Sequence, residues 1–451
     1  MSASSDFASP ADNGRLSGRT LFAYSLPGLV TAIPTIPVFT LVPVFYAWDV
    51  GIGLAVTGLI LFLSRALDVV TDPLIGRLTD HYGPGGLRIL VLAGALIAAP
   101  SLVMLLSPPS GAGPVWLFMC SAFLYLGWTL VQVPYLTWGA RLSSKYHDRT
   151  RLTSGRETAV ICGILLSGSL PAVLGFLHFD EAQRLSLLGW IAVAFGIPAF
   201  TLLLRTVPLP KPVAPAQSSW RGITDNRLFV RLLGAWFLNG LANGIPAILF
   251  PLFCSQVLET SDQTRNLLLA LYFGSAVIGI PLWLTISRRF SKHRSWSLAM
   301  TVTCPAFAVA AFLGPGDTTL FAVVCLITGL CLGADLALPP AIQADVADWD
   351  RLRFRRNRTA SLFALWNMAS KLALAIAAGT ILPLVSQLGL EQPTAPADSL
   401  RMLAMIYALI PCVFKLTAIG LVSGLPLTQQ RHAAIISRLD RRDYPAEGRR
   451  L

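Results

Sequence analysis

Long apolar segments recur along the chain from residue 20 almost to its C-terminal end, and short polar or basic stretches separate them. Each segment has roughly 20 residues or more, the length that an α-helix needs to cross a hydrocarbon core of ~30 Å. The pattern predicts twelve membrane-spanning helices, at residues 20–47, 52–77, 87–107, 114–139, 153–177, 184–206, 227–257, 265–287, 295–314, 318–346, 358–389 and 399–426. We therefore expect an all-α integral membrane protein.

The twelve predicted spans fall into two sets of six. A stretch rich in proline and small polar residues separates the sets, and weak similarity relates them: residues 72–83 align with 280–291 without a gap, and 127–134 with 333–340. We expect five regions: a tail (1–19), a six-helix half (20–206), a linker (207–226), a second six-helix half (227–426) and a C-terminal tail (427–451).

The composition suits a membrane protein, since 54% of the residues are hydrophobic and 13% are charged. The net charge of +12 does not indicate nucleic acid as a partner, because most Lys and Arg residues lie at the termini and in the loops after even-numbered spans. This positive-inside asymmetry places both termini in the cytoplasm, with the lipid bilayer as the partner. No apolar run precedes Gly18, so we expect no cleavable signal peptide.

The residues that usually carry enzyme chemistry form no pattern in this sequence. The seven cysteines fall in predicted spans without CxxC spacing, and the five histidines lie in loops or the tail without forming a ligand cluster. Phosphate-binding glycine loops, nucleophile elbows and HExxH motifs are also missing from the sequence. We therefore expect no enzyme and no cofactor.

Two carboxylates inside the second predicted span are the main candidate for function. Asp68 and Asp72 are four residues apart, so a helix places both on one face. Ionisable groups within a bilayer are unfavourable unless they line a water-filled or protein-lined path. Two neighbouring carboxylates also repel each other unless a cation or a proton offsets their charge. In the second half they align with Ala276 and Ile280, so we expect cation chemistry in the first half only.

Four segments carry a resemblance to a known family: residues 65–73 (RALDVVTDP), residues 134–152 around Tyr146-His147-Asp148-Arg149-Thr150, residues 344–359, and Lys371. They resemble the glycoside–pentoside–hexuronide:cation symporter family of the major facilitator superfamily. The resemblance implies a major facilitator fold of two six-helix halves and secondary active symport by alternating access. It further implies a sugar or glycoside-like solute, a monomer, and a bacterial inner membrane.

The resemblance also assigns roles to residues of this chain. Asp68, Asp72 and Thr129 would bind the coupling cation with Thr71 beside them, and Asp68 and Asp72 would ligate the metal ion if it is Na⁺. The residues alone leave Na⁺ and H⁺ open. The expected substrate cavity is lined by Tyr125, Trp128, Gln132, Tyr135, Arg156, Asn239, Asn243, Trp366, Asn367 and Lys371. The expected gating and supporting residues are Arg65, Arg77, Arg149, Asp345, Asp348 and Arg358.

The sequence departs from this family where the family binds sugar. The sugar-binding acid of span four is replaced by Gln132, its stacking tryptophan by Leu136, and residues 28–37 contain no charge. Transport of a lipid or lysophospholipid-like substrate is therefore an alternative. A membrane sensor or scaffold that transports nothing is an alternative from another class, although it would not require the acid pair.

Overall fold

The computed structural model describes residues 16–81, 83–142, 146–176, 179–210, 222–355, 359–390, 396–426 and 429–443. Within these residues a helix lies at each of the twelve predicted places, and one more follows. In chain order they are α1 (Gly18–Trp48), α2 (Leu54–His81), α3 (Gly83–Leu106), α4 (Pro114–Leu142), α5 (Tyr146–Phe176), α6 (Glu181–Thr206), α7 (Arg227–Val257), α8 (Asp262–Arg289), α9 (Lys292–Ala310), α10 (Thr318–Phe354), α11 (Thr359–Gln387), α12 (Ala397–Val422) and α13 (Gln429–Asp443).

Eleven of the described helices are long and apolar enough to cross a membrane. The exception among the twelve predicted spans is α9, which has 19 residues and opens with Lys292, His293 and Arg294. It packs against α10 and α12, so it lies within the bundle and completes the six helices of the second half. The first helix of each half is distorted in its C-terminal part. A π-helical turn interrupts α1 at Pro37–Leu41, and another ends α7 at Phe253–Val257.

We call the end of the bundle that carries Gly18 and Val422 the termini end, and the opposite end the far end. Among the described residues, the two halves pack mainly through three helix pairs, which are α1 with α7, α2 with α11, and α5 with α8. At the far end one apolar cluster includes side chains of both halves, among them Leu41, Leu54, Leu249 and Val385.

At the termini end, the described apolar side chains form two clusters rather than one. Tyr24, Leu87 and Trp138 belong to a cluster of the first half, whereas Trp296 and Val346 belong to a cluster of the second half. The halves therefore pack together at the far end and are separate at the termini end.

The aligned glycines Gly127 of α4 and Gly333 of α10 contact different neighbours. A Cβ atom on Gly127 would lie 2.6 Å from the backbone nitrogen of Ala98 in α3, and one on Gly333 would lie 2.5 Å from the carbonyl oxygen of Ala276 in α8. In the second half, α10 thus packs closely on the helix that matches α2 but lacks its acids. In the first half, the face of α4 toward α2 instead carries Thr129.

Candidate functional site

Asp68 and Asp72 of α2 both contact Thr129 of α4. The Thr129 hydroxyl oxygen lies 2.6 Å from Asp68 Oδ1 and 2.8 Å from Asp72 Oδ1. A threonine hydroxyl has one hydrogen, so it can donate to only one of the two carboxylates at a time. Asp68 is buried, with 3% of its surface exposed. The result is a group of converging oxygen atoms within the bundle that a cation or an added proton would stabilise.

In this structure the ammonium group of Lys371 occupies the centre of that oxygen group. Its Nζ lies 2.8 Å from both carboxylate oxygens of Asp72, 3.0 Å from Asp68 Oδ2 and 3.3 Å from the Thr129 hydroxyl. Lys371 was expected in the substrate cavity beside Asn367, but its charge lies at the acid pair. Because it extends from α11, it joins the second half to α2 and α4 of the first half.

Arg65 completes the charge balance of this site. Its Nη1 lies 3.3 Å from Asp68 Oδ2, and its guanidinium carbon lies 3.9 Å from the centre of the Tyr125 ring and 4.3 Å from that of Phe39. Cation–π contacts of this kind hold a guanidinium group in one position. Tyr125 thus packs beneath Arg65, and the site contains two carboxylates and two cations.

The other residues of α4 and α5 that were expected at the substrate do not come together. Trp128 lines an apolar crevice between α1, α3, α4 and α6, and the Tyr135 hydroxyl donates to the backbone carbonyl of Tyr24. Arg156 pairs with its neighbour Glu157. Gln132 is half-buried on α4.

Thr71 of α2, which was expected beside the cation, donates its hydroxyl to the backbone carbonyl of Asp68 at 3.1 Å.

A second polar cluster lies wholly within the second half. Asn243 Nδ2 and Lys415 Nζ lie 3.0 and 3.3 Å from Asp335 Oδ2, Trp296 Nε1 donates to Asp335 Oδ1 at 2.6 Å, and Lys415 Nζ donates to Asn239 Oδ1 at 2.9 Å. Asp335 and Lys415 are 6% and 3% exposed. The predicted substrate residues include Asn239 and Asn243 but neither of the two charged residues. Two features of the sequence point to Asp335. It is an acid in an apolar span, and the alignment of Gly127 with Gly333 pairs it with Thr129.

Tryptophan side chains extend from this second cluster toward Lys371. The ring centre of Trp236 lies 6.5 Å from that of Trp296 and 4.5 Å from that of Trp366, on which it stacks. Trp236 Nε1 also donates to the hydroxyl of Ser370 at 2.6 Å, one residue before Lys371. Trp366 therefore packs in the second half, while Asn367 beside it is exposed.

The expected gating residues are partly described. Asp345 accepts two hydrogen bonds from Lys292, at 2.8 and 2.7 Å, and His432 Nε2 lies 3.4 Å from Asp345 and 3.1 Å from Asp348. These contacts link α9, α10 and α13 at the termini end. Arg358 and the side chains of Arg77 and Arg149 lie outside the described residues.

Comparison with known sequences agrees with this architecture. The sequence model described as MFS/sugar transport protein matches residues 23–429. The chain belongs to the MFS/sugar transport protein family. It is therefore a transporter of the major facilitator fold, as the motifs around Asp68 and Lys371 predicted.

Relatives and solved structures are similar over most of the chain. The chain is 21% identical to the uncharacterised symporter YjmB of Bacillus subtilis over 87% of its length and 89% of the relative's. It is 20% identical to the glucuronide carrier protein homolog of Escherichia coli (95% and 97%) and 23% identical to the human sodium-dependent lysophosphatidylcholine symporter 1 (64% and 60%).

Two crystal structures share the fold, each with a TM-score of 0.67. One is the nucleoside transporter NupG (14% identity, 90% of this chain and 100% of the other), and one is a D-xylose–proton symporter (16% identity, 91% and 98%).

Proposed function

We propose that this protein is a cation-coupled symporter whose coupling ion binds among Asp68, Asp72 and Thr129. One observation carries the proposal: the Lys371 ammonium lies 2.8 Å from both Asp72 oxygens and 3.0 Å from Asp68, where a small cation would be ligated. An internal cation that the coupling ion can replace lets the site alternate between two neutralised forms. The acid pair is then stable whether the ion is bound or absent.

Exchange of Lys371 for the ion would change how the two halves contact each other. Lys371 ties α11 to α2 and α4, so an arriving Na⁺ or H⁺ that neutralises the acids would release this tie. We propose that residues 20–206 and 227–426 are the two bodies that then rock around the central cavity. Any gain in substrate affinity on ion binding requires an equal gain in ion affinity on substrate binding.

For the substrate, we propose a sugar or glycoside-like solute. The relatives support this proposal, since they include a glucuronide carrier protein homolog and the family description refers to sugar transport. We further propose a monomer in a bacterial inner membrane with both termini in the cytoplasm, because the loops of the termini end carry most of the basic residues. The described state would then be open toward the cytoplasm.

A lysophospholipid-like substrate is the second candidate, and one observation favours it. The crevice lined by Trp128, Thr31, Leu96 and Ile197 is almost wholly apolar, and Leu96 and Ile197 at its edge are exposed where the bilayer would lie. Such a surface suits an acyl chain. A human relative is named a sodium-dependent lysophosphatidylcholine symporter. Competition between a lysophospholipid and a glycoside for cation-dependent uptake into proteoliposomes distinguishes the two.

The test of the cation site is tryptophan fluorescence of the purified protein during a Na⁺ titration at several pH values. We expect a saturable Na⁺ response, or a response to pH alone if the ion is H⁺, and we expect Asp68→Asn to abolish it. The matched control is Asp350→Asn, because Asp350 is an equally buried carboxylate that pairs with Asn226 at the termini end of α10. A response that persists in Asp68→Asn and Asp72→Asn would refute the site.

Ion-driven uptake separates a transporter from a sensor or scaffold of the same fold. Proteoliposomes with an imposed Na⁺ or H⁺ gradient should accumulate the solute, and Asp68→Asn should prevent accumulation. A folded protein that binds the ion but accumulates none of a broad set of sugars, glycosides and lysophospholipids would contradict transport.

A further inference from the structure

The apolar crevice between α1, α3, α4 and α6 is elongated along the helices of the first half. Its volume is about 390 Å³, and none of the described residues that line it is charged. On α3 the lining residues extend from Leu92 to Leu102, and on α6 from Ala192 to Leu204. At a rise of 1.5 Å per residue these stretches are roughly 15–18 Å long. The crevice therefore runs in the direction of the lipid chains of a bilayer.

The crevice opens sideways, toward the place of the lipid. Leu96 of α3 and Ile197 of α6 line it, and they are 67% and 66% exposed. A Cβ atom on Gly196, which also lines it, would contact only Val30, at 3.4 Å. A lipid chain can thus enter from the bilayer. Because the chain would leave one apolar environment for another, any preference for a particular lipid has to come from polar groups at the end of the crevice.

An arginine lies one helical turn beyond the crevice on each of α3 and α6, in both cases at the termini end. On α3, Arg88 precedes Leu92 by four residues, so the two share a face. On α6, Arg205 follows Thr201 by four residues, and Arg205 is exposed. Arg88 Nη2 donates to the carbonyl of Val207 at 3.1 Å. Arg88 therefore reaches the end of α6 that carries Arg205.

These two arginines determine which headgroup suits the site. A guanidinium group donates two parallel hydrogen bonds to a phosphate, and basic residues near a membrane surface attract anionic lipids. A phosphoglycerol headgroup brings the phosphate without a positive charge. A phosphocholine or phosphoethanolamine headgroup would place an ammonium beside Arg88 and Arg205. The charges thus favour an anionic phospholipid over a zwitterionic one.

We propose that the crevice binds an anionic glycerophospholipid from the bilayer leaflet at the termini end, with one acyl chain along α3 and α6 and the phosphate at Arg88 and Arg205. This lipid stays with the protein and is not the transported solute, so the inference goes beyond the proposed function. Trp128 of α4 lines the crevice, and the next residue, Thr129, contacts the acid pair. The bound chain therefore packs against the helix that holds Thr129.

The experiment uses Trp128 as a reporter of the bound chain. Lipids with brominated acyl chains quench tryptophan fluorescence on contact. Brominated phosphatidylglycerol is added in increasing mole fraction to phosphatidylcholine vesicles that contain the wild type or Trp128→Phe. The difference between the two proteins, which reports Trp128, should saturate at a low mole fraction. Quenching of Trp190, which is 57% exposed on α6, should instead follow the bulk lipid composition.

Two variants test the two parts of the site. Gly196→Leu places a side chain in the crevice and should remove the saturable quenching of Trp128, whereas Gly420→Leu is the control because a Cβ atom there meets nothing within 4 Å. Arg205→Gln changes only an exposed side chain and should raise the mole fraction at half-saturation about fivefold, which corresponds to about 1 kcal/mol. Arg227→Gln removes an exposed arginine at the termini end of the second half and should leave it unchanged.

Three results would overturn the proposal. The first is quenching of Trp128 that follows mole fraction linearly and equally for brominated phosphatidylglycerol and phosphatidylcholine. The second is an unchanged half-saturation point in Arg205→Gln. The third is displacement of the brominated lipid by lysophosphatidylcholine together with loss of ion-driven lysophosphatidylcholine uptake in Gly196→Leu, because the crevice would then hold the transported solute.

The Na⁺ or pH response of the wild type, measured in the same vesicles, separates this proposal from the symport proposal. A wild type with saturable quenching of Trp128 but no ion response would refute the cation site and support the lipid site. A wild type with an ion response but no saturable quenching would support the cation site and refute the lipid site.

Discussion

At the scale of single residues, Lys371 supplies positive charge to the two carboxylates inside the bundle. Removing a carboxylate from water is unfavourable by several kcal/mol per ion, so Asp68 and Asp72 require nearby positive charge. Arg65 lies on the same helix as Asp68, three residues before it, but Lys371 reaches the acids from the other half. Under the proposed mechanism, Arg65 is the counter-ion that stays with Asp68, and Lys371 is the one that the coupling ion replaces.

The first prediction concerns this exchange. Lys371→Gln removes the internal competitor for the acid pair, so the apparent affinity for the coupling ion should rise at least tenfold, equivalent to about 1.4 kcal/mol. The ion titration by tryptophan fluorescence measures it. Arg231→Gln is the control, because Arg231 is a basic residue of the same half that binds the Leu421 carbonyl at the termini end. An unchanged or weaker affinity in Lys371→Gln would show that the lysine does not compete with the ion.

The spacing of Asp68 and Asp72 was enough to predict the acid pair, because the relation between residues four apart is local to one helix. The position of Lys371 depends on how closely α11 approaches α2, which no local pattern encodes. Trp128 and Thr129 are adjacent in the chain, and adjacent helical residues point about 100° apart, so the two side chains face different neighbours. Thr129 faces α2, and Trp128 faces the crevice between α1, α3, α4 and α6.

At the scale of helices, α2 and α11 come into close contact near the far end. A Cβ atom on Gly58 would lie 2.8 Å from the carbonyl oxygen of Ala378 and 2.8 Å from Leu382 Cβ, and one on Gly379 would lie 2.7 Å from Phe62 Cβ. Because glycine has no side chain, the two backbones come into close contact at the end where one apolar cluster joins the halves. The same two helices carry Asp68, Asp72 and Lys371 further along.

The second prediction is that Gly58→Val separates α2 from α11 at the far end. Valine cannot fit against the Ala378 backbone, so the population should shift toward a state that is open at the far end. Spin labels at Ser110 and Pro315, which are exposed in far-end loops of the two halves, should give a longer distance. Gly420→Val is the control, since a Cβ atom there meets nothing within 4 Å. Equal label distances in both variants would refute the role of this contact.

At the scale of the whole molecule, four charged residues join the halves at the far end. Arg265 Nη2 of α8 lies 2.5 Å from Glu181 Oε2 of α6, and Arg184 Nη2 of α6 lies 3.4 Å from Asp262 Oδ2 of α8. Each arginine also contacts the acid of its own helix, at 3.6 Å for Arg184 and 3.1 Å for Arg265. Opening the far end separates the cross-helix pairs but keeps the pairs within each helix.

The last prediction follows from this difference. In Glu181→Gln the buried Arg265 keeps Asp262 but loses its partner in the other half. The closed far end should therefore lose about 1.4 kcal/mol or more of stability, which lowers its population relative to the open form at least tenfold. Labels at Ser110 and Pro315 should report the longer distance. Glu259→Gln removes a similar charge from an exposed position at the same end and should leave the distance unchanged. If Glu181→Gln keeps the wild-type distance, the apolar cluster alone closes the far end, and the charged residues only orient α6 and α8.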